Sequence, residues 1–191
     1  MFTSLSHSLS HYSALSHQRP GSSKLIFTDV PSFELLNKFT LALNANGHLH
    51  YKVYVEKLMQ VPYIQIVHTE WGDVVGGSTI KYRDADVAEI GYMLVDKEYR
   101  GQGIAEYMTH SRIEHARKAG IKILFAKIRG NNVNSISNLR KAGFQPAVNT
   151  FHQMHNGSPV SWYYLPLVSI PQDQCRKWLR KNIIGSVPVV N

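Results

Sequence analysis

Residues 87–105 read VAEIGYMLVDKEYRGQGIA, and their reading decides the fold. The run up to Val95 is mostly apolar, as expected of a strand buried in a sheet. A short polar turn follows it, and a glycine-containing loop then opens a helix. The first N–H groups of a helix have no partner inside the helix, and the macrodipole places roughly half a positive charge beside them. A phosphate can take those donors if nothing blocks its approach. Gly101 and Gly103 remove side chains where the backbone must come close. Arg100 adds a cation that can fork onto phosphate oxygens. The stretch therefore predicts a strand, a loop and a helix whose N-terminus docks a pyrophosphate.

Three phosphate motifs compete for these residues. A Walker loop needs Lys and Ser or Thr after its second glycine, and neither is present. The dinucleotide fingerprint needs a third glycine where the chain has Glu106. What remains is Arg-x-x-Gly-x-Ala, Arg100 to Ala105, directly after a strand. Downstream, Ile123 to Arg129 (ILFAKIR) reads as a buried strand, followed by Asn131-Asn132 and VNSISNLRKAGF. Val133, Ile136 and Leu139 recur at helical spacing, with Asn132 as N-cap and Gly143 as C-terminal stop. The order strand, RGQGIA, helix, strand, Asn-x-x-Ser helix, Gly-Phe resembles the GNAT superfamily of acyl-CoA-dependent N-acetyltransferases. The match covers residues 74–146 well and the flanks poorly. Ser135 and the stretch Ala88 to Tyr92 (AEIGY) are similar to the branch of ribosomal-protein N-terminal (alanine/serine) acetyltransferases.

That resemblance implies an α/β (α+β) fold: a single domain with a mixed, mostly antiparallel central sheet, a splayed parallel pair of strands, and flanking helices. It implies acetyl-CoA as co-substrate, with no metal, and a primary amine as acceptor. The cofactor-binding residues it points to are Met93, Leu94 and Val95 through their backbone, the loop Arg100, Gly101, Gln102, Gly103, Ile104 and Ala105, and Asn132. Strands of this family commonly bulge near Met93 and splay from the next parallel strand. Such a bulge frees N–H and C=O groups for the pantetheine arm and for the thioester oxygen. Many relatives carry a Tyr on the second helix that returns a proton to the leaving thiolate. The matching position here is Leu139, which leaves Ser135 or Ser137 as substitutes, Ser135 being the catalytic candidate.

Glu89 is the candidate base. On a period of two, Val87, Glu89, Gly91, Met93 and Val95 share one face of the strand, and Ala88, Ile90, Tyr92 and Leu94 share the other. A carboxylate on so apolar a strand needs a reason. One is pairing with a neighbouring Lys or Arg near the strand's start. The other is chemistry: an ammonium acceptor cannot attack a thioester until it loses a proton, and a Glu beside the pocket can take it. Both readings stay open at this level.

Outside this stretch, Leu25 to Val30 reads as a first strand and Ser32 starts a helix with the stripe Phe33, Leu36, Phe39 and Leu43. Tyr51 to Met59 reads as a short helix, and His48, His50, Tyr51 and Tyr54 are candidate acceptor contacts by resemblance. Tyr63–His68 and Val74–Tyr82 read as strands joined by turns, which implies antiparallel pairing. The helix over residues 103–119 should bury Ala105, Met108, Ile113 and Ala116, pair Glu114 with Lys118, and stop at Gly120. Thr150 to Met154 and Val160 to Leu165 read as two strands around Asn156-Gly157-Ser158-Pro159. They resemble the C-terminal hairpin of the family, which often borders the acceptor, and that resemblance makes His152, Tyr163 and Tyr164 candidate contacts.

Three regions are expected: a Ser/His-rich arm (1–23), the acetyltransferase domain (24–168) and a basic helical extension (169–191). The arm buries little, and a metal site on His7, His11 and His17 is the lesser reading. In the extension, Asp173 is placed to cap a basic helix containing Arg176, Lys177, Trp178 and Leu179. The net charge of +8 suits an anionic cofactor. Nucleic acid is not an expected partner, since no basic stripe interleaved with aromatics precedes the last twenty residues. No run approaches the ~20 apolar residues of a membrane span. The single cysteine, Cys175, excludes an internal disulfide and fits a cytoplasmic setting. The expected function is acetyl transfer to a primary amine, of a small molecule or a peptide N-terminus, with room for a homodimer. The alternatives are a CoA-binding module with little chemistry, and an acyltransferase directed to RNA or an acidic protein by its basic tail.

Overall fold

The computed structural model describes residues 23–46, 49, 51–129, 132–147, 153–155 and 158–179. The Ser/His-rich arm, His48, His50, His152 and the end of the basic tail lie outside these residues. Eight strands form one sheet: β1 (Leu25–Thr28), β2 (Tyr63–Thr69), β3 (Val74–Tyr82), β4 (Val87–Val95), β5 (Ile123–Arg129), β6 (Gln145–Pro146), β7 (Gln153–His155) and β8 (Ser158–Pro166). The spatial order is β1-β2-β3-β4-β5-β8-β6, with β7 also paired to β8. Every pairing is antiparallel except β4 with β5. The helices are α1 (Phe33–Ala45), α2 (Val55–Met59), α3 (Ile104–Lys118), α4 (Val133–Lys141) and α5 (Gln172–Leu179).

The helices cover both faces of the sheet. On one face α3 and α4 pack Met108, Ile113, Ala116 and Leu139 onto Ile80, Ala88, Ile90 and Val75. On the other, α1 and α2 pack Leu36, Phe39, Leu43 and Leu58 onto Ile64 and Ile66. Farther along, the half with β5 and β8 meets α5, where Cys175 and Leu179 join Val87, Phe125 and Tyr164. The basic helix thus packs against the sheet. Asp173 lies in its first turn and pairs with Lys177.

Local chemistry explains the helix ends. The Ser32 side chain accepts from Leu35 N at 3.3 Å and caps α1. α3 closes with Ile121 N on Ala116 O and Gly120 N on Arg117 O, and α4 repeats the pattern with Phe144 N on Leu139 O and Gly143 N on Arg140 O. This paired closure needs a residue at positive φ, and Gly120 and Gly143 supply it at φ 76 and 89.

Several expectations need correction. The helix expected over residues 51–59 begins only at Val55, because Asn44 holds both backbone groups of Val53 with its side-chain amide. The first strand ends at Thr28, after which Asp29 turns to accept from Tyr63 OH and Gln65 Nε2. Phe33 and Val133 are exposed and leave the stripes to their neighbours. Glu114 pairs with Arg117, not Lys118. α3 also buries Arg112, whose Nε donates to Met108 O and whose Nη2 donates to Thr109 Oγ1. Burial pushes this guanidinium down to about 9, so it is still a cation at neutral pH. Asn138 of α4 donates to the same Thr109 Oγ1 at 2.7 Å, tying the two helices together.

The most consequential correction concerns β4. The strict alternation expected along it fails because the strand bulges. Gly77 pairs with Leu94 and Thr79 with Gly91, so three steps on β4 oppose two on β3. Within the bulge Tyr92 takes φ 45, the only non-glycine among the described residues at positive φ. Ala88 and Ile90 face α3, but beyond the bulge Met93 and Val95 do so, while Tyr92 and Leu94 face α1. Close packing follows at the same place: a Cβ added to Gly76 would lie 2.6 Å from Leu94 O. Gly76→Ala is therefore expected to cost about 1–3 kcal/mol, read as a fall in the melting temperature by calorimetry. An unchanged melting temperature would contradict this contact.

Candidate active site

β4 and β5 run side by side only from Val87/Ile123 to Glu89/Phe125. Beyond Glu89 no register joins them. One edge of the bulged half of β4 stays laddered to β3, and the other borders the gap that β5 leaves. The expected splay is thus present, and the bulge sits at Gly91–Met93, immediately before the backbone expected to meet the cofactor arm.

The turn after β4 leads to the loop expected to dock the diphosphate. Asp96 Oδ1 accepts from Glu98 N and caps a 3-10 turn, Lys97–Tyr99. Arg100 is extended, and its Nε donates to Val95 O at 3.1 Å, which holds the guanidinium between the strand end and the loop. Gly101 and Gly103 both take left-handed backbone, at φ 78 and 77. Gly103 is the N-cap of α3, and the first helical bond runs from Tyr107 N to Gly103 O. The N–H groups of Ile104, Ala105 and Glu106 precede that bond and so have no partner in the helix. Gln102 is exposed. A Cβ built on either glycine meets nothing within 4 Å, so the space over the turn is open.

Asn132 caps α4, accepting from Ser135 N at 3.1 Å. That bond uses its Oδ1 and leaves the amide nitrogen for another partner. Ser135 lies half-buried in the first turn of α4, whereas Leu139 is buried in the core. Tyr163 and Tyr164 are buried in core clusters, so packing accounts for both.

Glu89 sits at the apex of the gap. Its Oε2 accepts from Arg83 Nη2 in an ion pair, and its side chain is 18% exposed. Lys81 stands directly across the ladder from it on β3. Tyr51 was a candidate contact by resemblance, but its meeting with Tyr92 and Lys81 had no signal in the sequence. Tyr51, from the α1–α2 connection, meets Tyr92 hydroxyl to hydroxyl at 3.3 Å. Burial first, then the Tyr92 hydrogen bond, pushes the Tyr51 hydroxyl up to about 12, so it is neutral at physiological pH. Half of the residue still faces solvent. Lys81 Nζ lies 4.3 Å from the centroid of the Tyr92 ring. An open recess of about 400 Å³, lined by Asn44, Leu49, Tyr51 and Lys52, continues from this cluster. Period-two reading placed Tyr92 on the opposite face from Glu89, and only the bulge brings them to one side.

A bulged strand parts from its parallel neighbour, and a glycine turn with a bare helix N-terminus at its end leaves backbone donors open to an anion. The Acetyltransferase (GNAT) family model matches residues 35–144, more than half of the chain. The chain therefore belongs to this family of acetyltransferases. Solved structures agree on the fold. Ard1 from Thermoplasma volcanium superposes with a TM-score of 0.65 at 15% identity, over 76% of this chain and 99% of that one. The NatC complex bound to Gag peptide and CoA gives 0.65 at 16% identity, over 76% and 99%. The ribosomal-protein-S18-alanine N-acetyltransferase from Escherichia coli gives 0.61 at 15%, over 78% and 98%. A search of curated proteins finds no match. No helix among the described residues is long and apolar enough to cross a membrane.

Proposed function

We propose that this chain moves the acetyl group of acetyl-CoA directly onto a primary amine. The observation that carries the reading is the parting of β4 from β5 beyond Glu89 and Phe125, beside the left-handed turn at Gly101 and Gly103. The diphosphate docks on the N–H groups that open α3, with Arg100 beside them. The thioester lies along the free edge of Met93, Leu94 and Val95, where a main-chain N–H polarises its carbonyl. The amide nitrogen of Asn132 is the further contact from α4. That similar structures include one bound to CoA and a peptide supports this placement.

The amine enters from the face carrying Glu89, Tyr51 and Tyr92. Glu89 takes a proton from the ammonium on Oε1, directly or through water, while Arg83 keeps Oε2. The freed nitrogen attacks the thioester carbon, the C–S bond breaks, CoA leaves as a thiolate, and the second proton of the attacking nitrogen passes to water. Leu139 is buried and has no proton to give. Ser135 relays one from solvent, or the thiolate departs unaided, since a thiol with a pKa near ~8.5 is a tolerable leaving group. Holding amine and thioester together supplies much of the rate.

The test is release of free CoA, read with a thiol reagent, when the protein and acetyl-CoA are incubated with amines and N-terminal peptides. Release that depends on both acceptor and protein is expected. Acetyl-CoA binding without release for any acceptor would favour the second reading, a CoA-binding module, which the core position of Leu139 supports.

A further inference from the structure

The two strands that border the gap, β4 and β5, and their outer neighbours β3 and β8 carry a single carboxylate: Glu89. It is already neutralised by Arg83. Two lysines on the same strands are not neutralised. Lys81 makes no ion pair among the described residues and instead stands over the Tyr92 ring. Lys127 of β5 likewise makes none, and its Nζ lies 5.5 Å from the centroid of the Trp162 ring.

Both lysines belong to the acceptor face. Lys81 is the ladder partner of Glu89 and leans on Tyr92, which packs toward α1. Lys127 lies two residues beyond Phe125, the ladder partner of Glu89 across the parallel pair, so the two share a face. Phe125 and Trp162 both belong to the α5-covered cluster on that face, their ring centroids 6.0 Å apart. The lysines therefore stand on either side of the gap. An aromatic ring attracts an ammonium by its face but cannot accept three conventional N–H hydrogen bonds. Each cation retains donors for an anion. A bare ammonium acceptor would approach this floor against net positive charge, and an amine that brings its own anion would not.

Resting on the acetyl-transfer reading above, we infer that the acceptor is an amine carrying a carboxylate within a few bonds of its nitrogen, read by Lys81 and Lys127. The carboxylate can belong to a free amino acid or to an acidic second residue of a peptide. Matched pairs separate these sources. Alanine against alaninamide tests the α-carboxylate, and Ala-Asp-amide against Ala-Asn-amide tests the acidic side chain.

With the full chain and saturating acetyl-CoA, the anionic member of at least one pair is expected to show kcat/KM about tenfold above its neutral match, the size of one charge-assisted hydrogen bond. The advantage is expected in KM. Lys81→Gln and Lys127→Gln, tested separately so that one misfolded variant does not decide the matter, should bring the ratio toward one. Lys81→Arg should keep it. Neutral members turned over as well as or better than anionic ones would overturn the inference and leave acetyl transfer standing. No member acetylated while another amine releases CoA would overturn the inference alone, and acetyl-CoA bound with no acceptor of any kind acetylated would overturn the acetyl-transfer reading with it.

Discussion

Gly103→Val is expected to weaken acetyl-CoA binding at least about hundredfold, as two costs combine. The first is conformational. Gly103 holds φ 77 as the N-cap of α3, and left-handed backbone costs an ordinary residue roughly 1–2 kcal/mol, more for a β-branched one. The turn must shift to escape that strain, and the donors of Ile104, Ala105 and Glu106 shift with it. The second is steric. The space above Gly103 is open, so valine meets no protein atom there, and its bulk falls instead where a diphosphate has to approach the helix N-terminus. The fold should therefore survive while the affinity does not. Titration calorimetry with acetyl-CoA measures the loss, and a thermal melt confirms that the variant is folded. Affinity equal to that of the unaltered chain would remove the loop from cofactor binding.

Glu89→Gln is expected to lower kcat/KM about hundredfold, the ordinary contribution of a general base, with acetyl-CoA affinity unchanged. The ion pair with Arg83 makes a second variant necessary. If Glu89 serves only to balance that cation, Arg83→Gln and Glu89→Gln break the same pair and should harm the protein alike. If Glu89 is the base, Arg83→Gln leaves a carboxylate at the apex of the gap and keeps most of the activity. Initial rates at saturating acetyl-CoA, with the melting temperature of each variant, separate the two cases. Equal losses in both variants would reduce Glu89 to a structural partner.

The candidate site was legible in part. The turn and helix ends on the proposed cofactor side could be read because their signals are local. Gly101 and Gly103 stand where positive φ is required, Asn132 precedes a helical stripe, and Gly120 and Gly143 follow two others. On the acceptor side the pairing of Glu89 with a nearby cation was legible, since Arg83 lies six positions away across a hairpin. The meeting of Tyr51 with Tyr92 was not, because it spans forty-one positions. Arg112 was not among the residues expected to be buried, and only the packing of α3 on the sheet buries it.

What the sequence determined by itself is the order of strands and helices, where each helix stops, and the glycine turn that bares the N-terminus of α3. These depend on backbone preferences and on hydrophobic period, which act over a few residues. Tertiary structure alone decided which side chains meet at the gap. One extra residue in β4 against β3 reverses the facing of everything beyond it. Tyr92 is thereby carried to the side of Glu89 and Lys81, and strand pairing over long range, which no local pattern encodes, sets that register.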